Sequence, residues 1–142
     1  MKATHPKHGF TVIEMLVAIA IIGIISAIAI PNLLSFFPKS RLSGATRVLA
    51  GDLMATRMEA VKRNQTAYMA YMGAAEYQIA YMGTLIKARD LSSEYPDVTF
   101  ADFDRVSFNS RGAALGTKTI TLSNPSGSKT IDVTIAGRVK IN

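Results

Sequence analysis

Apolar residues are spread very unevenly along the chain. Phe10 to Ile30 reads FTVIEMLVAIAIIGIISAIAI, apolar around the whole helical wheel and carrying one charge, Glu14. At helical rise this run spans about 31 Å, the thickness of a bilayer's hydrocarbon layer. From Lys39 to about Asn64 the pattern becomes amphipathic. Leu42, Ala45, Leu49, Leu53, Thr56 and Ala60 recur at helical spacing, while Arg41, Asp52, Glu59, Lys62 and Arg63 fall mostly elsewhere on the wheel. The spacing predicts a helix lying by one face on a folded head. Prolines withhold a helical donor and crowd the preceding turn, so a bend or local unwinding is expected around Pro31 and again near Pro38. The stretch Ser40 to Ala45 offers a point for the helix to restart. Gly23 offers either close helix approach or simply a small residue tolerated in a membrane helix.

Beyond Asn64 the period shortens to that of strands. Thr66–Met72 and Tyr77–Met82 alternate loosely around a turn at Gly73-Ala74-Ala75-Glu76. Val98–Phe100, Arg105–Phe108, Thr119–Leu122, Ile131–Ile135 and Val139–Ile141 read as further strands. Arg111-Gly112, Asn124-Pro125-Ser126-Gly127-Ser128 and Ala136-Gly137 punctuate them. The polar stretch Thr84 to Pro96 reads as loop with a short helical turn. The expected class is α+β: a long kinked N-terminal helix packed on a small antiparallel β-rich head. Residues 1–9 form a leader, 10–64 the helix (10–30 membrane or filament core, 39–64 amphipathic), and 65–142 the head.

An apolar run near an N-terminus is ordinarily a cleaved signal, a plain anchor or a buried core helix. A chain of 142 residues has too little interior to surround a helix that is apolar on every side. A secretory signal has its small-residue cleavage site after the apolar run, whereas here Gly9 precedes it. A plain anchor, with Lys2 and Lys7 holding the short leader in the cytoplasm, remains the simple alternative. Glu14 argues against it, because a carboxylate inside a spanning helix costs about 2.5–3.5 kcal/mol on insertion scales.

The short basic leader ending in Gly9, then Phe10, Glu14 and an unbroken apolar helix with Pro31, resembles the processing motif of type IV prepilins. The resemblance implies that a prepilin peptidase cuts between Gly9 and Phe10 and that Phe10 becomes N-methylated. It also implies that the helix first sits in inner-membrane lipid, with the N-terminus cytoplasmic and the head periplasmic. The helix then packs against other pilin or pseudopilin subunits in a filament. Glu14 would pair there with the amine of a neighbour's Phe10. In low dielectric a mismatched register leaves a buried charge unpaired, so the pair sets register more than it adds stability. The helix segment Leu53 to Ala60, the strand with Val106, Phe108 and Asn109 before Arg111-Gly112, and the final Gly137-Arg138-Val139-Lys140-Ile141 look like minor pilins and pseudopilins of the GspH/FimT type. The absence of a C-terminal cysteine pair departs from many major pilins and favours a minor or pseudopilin role.

Composition narrows the chemistry. There is no cysteine, and both histidines, His5 and His8, precede Gly9. A mature chain therefore offers no thiol, no histidine base and few metal ligands, and no cofactor, metal or enzymatic activity is expected. Charge falls in blocks: basic over 39–63, acidic over 64–104, basic again over 105–142. Arg138 and Lys140, two apart near the end, are the best candidates for phosphate contacts. Some members of the family the chain resembles are implicated in DNA uptake through a basic C-terminal motif. A solvated, cation-guarded strand edge is the simpler account. Asp97, Asp102 and Asp104 could offer oxygen to calcium, but their spacing matches no full calcium loop. The near-repeat of Tyr and Met at 67–73 and 80–83 reads as cross-strand packing.

The reading is thus a minor pilin or pseudopilin of a type IV pilus or type II secretion filament, serving filament initiation or assembly and protein secretion. The alternatives are a DNA-binding minor pilin for transformation and a permanently anchored envelope binding module.

Overall fold

In the computed structural model residues 10–101 and 104–142 are described. The expected leader with Gly9, and Asp102 of the acidic stretch, lie outside the described residues. One helix, α1, runs from Val12 to Lys62. The unwinding considered at Pro31 and Pro38 is absent, and α1 continues through Ser40 to Ala45 without a restart. Each proline deprives one carbonyl, those of Ala27 and Leu34, of its ladder donor, and the neighbouring turns stay closed. The far end is closed by a Schellman motif. Asn64 takes a left-handed φ of 52°, its N–H bonds the Val61 carbonyl at 3.1 Å, and the Gln65 N–H bonds the Ala60 carbonyl at 3.1 Å.

The chain divides into two units, one ending at Phe36 and one spanning Phe37–Asn142. In the first, α1 exposes every apolar side chain it carries, and none of its membrane-length apolar window is buried. In the second, α1 buries Leu42, Ala45, Leu49, Leu53, Thr56 and Ala60, the six positions expected from their spacing.

Among the described residues eight strands complete the second unit: β1 (Ala67–Gly73), β2 (Glu76–Tyr81), β3 (Thr84–Asp90), β4 (Thr99–Phe100), β5 (Arg105–Phe108), β6 (Lys118–Asn124), β7 (Gly127–Val133) and β8 (Val139–Ile141). They form two four-stranded antiparallel sheets, ordered β3-β2-β1-β5 and β4-β6-β7-β8. Period-2 alternation sends Met69, Tyr77, Ile79, Val106 and Phe108 from the first sheet into the core. Phe100, Ile120, Leu122, Ile131 and Val133 enter from the second. With the buried stripe of α1 they make one continuous cluster.

Two expectations are corrected by one interaction. Thr84–Asp90, read as loop, is strand β3, and Asp52, read on the polar side of the helix, is only 8% exposed. Asp52 accepts a hydrogen bond from the Tyr77 hydroxyl at 2.6 Å and from Lys87 Nζ at 2.8 Å. Arg89 Nε lies 3.1 Å away as an ion pair without hydrogen-bond alignment. The half-buried positions of β3 are therefore cations serving a buried carboxylate, and Leu85 and Ile86 are exposed. That inverts the usual pattern of a half-buried strand and hides it from a hydropathy reading.

Burial, reinforced by the bond to Asp52, holds the Tyr77 hydroxyl un-ionised well above the usual tyrosine range. A raised folded-state value contributes stability that is fully present below the unfolded tyrosine pKa of about 10 and lost as pH rises beyond it. Thermal unfolding of the full chain in detergent is expected to show Asp52→Ala destabilised by about 3 kcal/mol, since it strands two cations. Tyr77→Phe should cost about 1 kcal/mol and soften the alkaline loss. An Asp52→Ala chain as stable as the parent would remove the role given to this cluster.

Candidate functional site

Glu14 has a local partner besides the intersubunit one expected of it. Its N–H donates to Thr11 Oγ1 at 3.3 Å, and its Oε2 accepts from the Thr11 N–H at 3.5 Å. This is a capping box, with threonine at the N-cap and glutamate three residues on, and it satisfies two of the donors a helix start leaves open. The signal was legible as Thr11-Val12-Ile13-Glu14. Phe10, immediately before the cap, is 82% exposed. The carboxylate thus stands beside the Thr11 N–H, one residue from where a new amine would appear if the chain were cut after Gly9. Further along, a side chain added at Gly23 would meet nothing within 4 Å. Pro31 is exposed within the helix.

The three short C-terminal motifs meet in space. Arg57 Nε, on the Leu53–Ala60 helix segment, donates to the Gly112 carbonyl at 2.8 Å. Gly112 and Gly137 have φ of +76° and +75°, a region that disfavours side chains. A Cβ at Gly137 would collide with the Gly112 carbonyl and lie 2.9 Å from Arg57 Nε. Asn109 Oδ1 holds the same loop by accepting from the N–H groups of Arg111 and Ala113 at 2.9 and 3.1 Å. The motifs are one clamp that fixes the β5–β6 and β7–β8 connections to α1.

That clamp positions the two candidate DNA contacts. Arg138 precedes β8 by one residue, Lys140 lies within it, and both are exposed on the outer strand of the second sheet. Asp132 is the cross-strand partner of Lys140 and accepts from Thr119 Oγ1 at 2.7 Å and from the Asn142 amide. The acidic candidates are not gathered. Asp97 pairs with Arg41 at 2.9 Å, and no group of three potential metal ligands occurs among the described residues. The Tyr–Met repeat divides its members. Met69 is core, Tyr71 packs against the core, Tyr68 lies under Arg105 at 4.3 Å, Tyr81 lies under Arg63 at 4.1 Å, and Met72 and Met82 are exposed.

A helix with a bare apolar first part and a second part laid on antiparallel sheets defines a type IV pilin-like subunit. Residues 4–30 match the family described as prokaryotic N-terminal methylation motif. Residues 45–137, well over half of the chain, match the family described as type II transport protein GspH, and the chain belongs to that family. In fold it is similar to the type IV minor pilin FimU of Pseudomonas aeruginosa strain PAO1. The TM-score is 0.64 at 15% identity, covering 75% of this chain and 92% of that one. A second crystal form of the same pilin gives 0.60, covering 71% and 92%. The chain is also 54% identical over 42 residues to the type IV major pilin protein PilA of Myxococcus xanthus strain DK1622. That stretch is 29% of this chain and 19% of the pilin, so the match spans about a fifth of its relative's length.

The clamp predicts a contrast between two glycines of similar φ. Gly83, at +80°, has open space around it. Gly83→Ala is expected to cost about 1–2 kcal/mol, the strain alone, and Gly137→Ala at least about 3 kcal/mol because backbone must also move. Equal losses on thermal unfolding would contradict the close approach.

Proposed function

We propose that the protein is a minor pilin or pseudopilin that helps initiate or tip a type IV pilus or type II secretion filament, acting by assembly and not by catalysis. The observation that carries this reading is a membrane-length stretch of α1 with every apolar side chain uncovered and a glutamate in its first turn. A prepilin peptidase cuts between Gly9 and Phe10 and the new Phe10 amine is methylated. Inner-membrane lipid covers the helix while the head waits in the periplasm. Leaving the lipid, the helix exchanges that cover for the helices of other pilin-type subunits. Pro31 sits within this stretch, where a missing ladder bond eases adjustment of the helix to its neighbours.

Glu14 serves twice in this account. It caps its own helix through Thr11, and at assembly it meets the cationic amine of a neighbour's Phe10. DNA capture by Arg138 and Lys140 is a second reading, supported by their exposure near the free edge of β8. Asp132 beside Lys140 weakens the local positive field on which phosphate binding depends.

Substitutions separate the roles of Glu14. Glutamine retains a capping-box acceptor but no charge. Glu14→Gln should therefore be processed normally and lower incorporation into filaments by roughly thirtyfold or more, because a desolvated cation loses its partner. Thr11→Val, which removes only the cap, should have a much smaller effect. Gly9→Ala should leave a full-length precursor in the membrane. Normal filament incorporation of Glu14→Gln, measured by immunoblot of sheared filaments, would sink the charge-pair account.

A further inference from the structure

The second unit contains a basic cleft that none of the assembly chemistry above uses. Its volume is about 310 Å³, and it lies between α1 and the β6–β7 hairpin. Lys39 and Lys129, Ser43, Ser126 and Ser128, and the chain at Gly127 line it. No carboxylate is among the lining residues. Asp97, which reaches this hairpin through the Asn124 amide at 3.1 Å, is already engaged by Arg41 at 2.9 Å. Lys39 forms no ion pair among the described residues, and Lys129 Nζ donates to Ser43 Oγ at 3.3 Å. Ser43 keeps its own hydroxyl proton to donate. Two lysines and three serines, with Leu42, therefore line one space that has no carboxylate in its walls.

The cleft is held open by a rigid tip. Asn124 Oδ1 accepts from the Ser126 N–H at 2.9 Å and from Ser126 Oγ at 2.6 Å, closing the turn on itself. Its amide donates to the Pro38 carbonyl at 2.7 Å, which ties the hairpin to α1 one residue before Lys39. The turn places glycine at position 127 with φ +136° and open space where a side chain would stand. The donors are thus preorganised, which lowers the ordering cost of binding an anion.

Covalent geometry says which anion is near. Lys39 is three residues beyond Phe36, so the cleft begins within about 11 Å of chain from the end of the exposed apolar stretch. At helical rise Phe10 to Lys39 covers about 44 Å, the thickness of a bilayer with both headgroup layers, so with Phe10 at one face Lys39 reaches the headgroups of the other, where lysines ending a spanning helix place their ammonium groups.

We propose that this cleft binds the phosphate of an anionic glycerophospholipid, and that the bound headgroup orients the subunit at the membrane before assembly. The inference rests on the membrane-inserted stage of the reading above. Lys39 and Lys129 supply the charge, and Ser43 and Ser128 supply hydroxyl donors. Extraction into a filament removes the subunit from this ligand, so the site acts on the waiting subunit.

The test is native mass spectrometry of the full chain in neutral detergent, with added phosphatidylglycerol or phosphatidylcholine. The unaltered chain is expected to retain phosphatidylglycerol in preference to phosphatidylcholine. A Lys39→Gln/Lys129→Gln chain should retain roughly tenfold less or lower still, and Lys39→Arg/Lys129→Arg should restore retention. Equal retention by the glutamine and unaltered chains overturns the proposal. Displacement of phosphatidylglycerol by millimolar inorganic phosphate assigns the cleft to free phosphate and overturns the lipid source. A glutamine chain with normal lipid retention that no longer copurifies with other pilin-type subunits assigns the lysines to a neighbour's carboxylate, and the proposal falls. The glutamine chain is expected to fractionate with membranes as before. An unaltered chain outside the membrane fraction would instead overturn the inserted stage itself.

Discussion

Apolar side chains on every face of a helix must be covered by something other than water. Burying one large aliphatic side chain is worth about 1.5–3 kcal/mol, and α1 exposes such side chains repeatedly between Phe10 and Phe37. Summed, the penalty for leaving them in water is on the order of tens of kcal/mol, far above the stability of a small domain. In the function proposed here, lipid covers them in one state and other helices in the next. The two covers are close in energy per unit area, because hydrocarbon and packed aliphatic side chains are similarly apolar. Packing and electrostatics then decide between them. Glu14 is the one charge in this stretch, so it carries disproportionate weight in that decision.

The second part of the helix faces the opposite requirement, since it must dock in one register. Apolar burial has no direction, and the stripe from Leu42 to Ala60 would tolerate sliding. Polar contacts along the same helix remove that freedom. Near its start the Pro38 carbonyl and Arg41 engage Asn124 and Asp97. In the middle Asp52 collects Tyr77, Lys87 and Arg89. Near its end Arg57 holds the Gly112 carbonyl, and Arg63 lies over the Tyr81 ring while bonding Glu59 at 2.7 Å. Each contact reaches a different part of the sheets, so a shift of one turn would break them together. The sheets are consequently fixed in register on the second part of α1.

Much of this was legible because helices and paired strands write their period into the chain. The six buried positions of α1 followed from spacing alone, and seven of the eight strands overlap the segments that alternation and turn residues marked, although β7 begins four residues before the expected Ile131 and ends two before Ile135. β3 was hidden because its half-buried residues, Lys87 and Arg89, are cations held there by Asp52. Asp52 was hidden in turn because a carboxylate in an amphipathic helix ordinarily faces water. The prolines promised more disruption than they cause, since one missing donor does not open the turns around it. Arg57, Gly112 and Gly137 lay in motifs that looked separate, and long-range contact between loops leaves no periodic trace. The cap at Thr11 was readable from four residues, but the charge of Glu14 drew attention away from its local geometry.

The central claim is that the chain is processed and handed from lipid to filament. Intact mass measurement of the protein from its native membranes tests this most directly. A mature chain beginning at N-methylated Phe10 is the predicted result. A chain still beginning at Met1, in cells with an active prepilin peptidase, would contradict the account and leave a permanently anchored envelope domain.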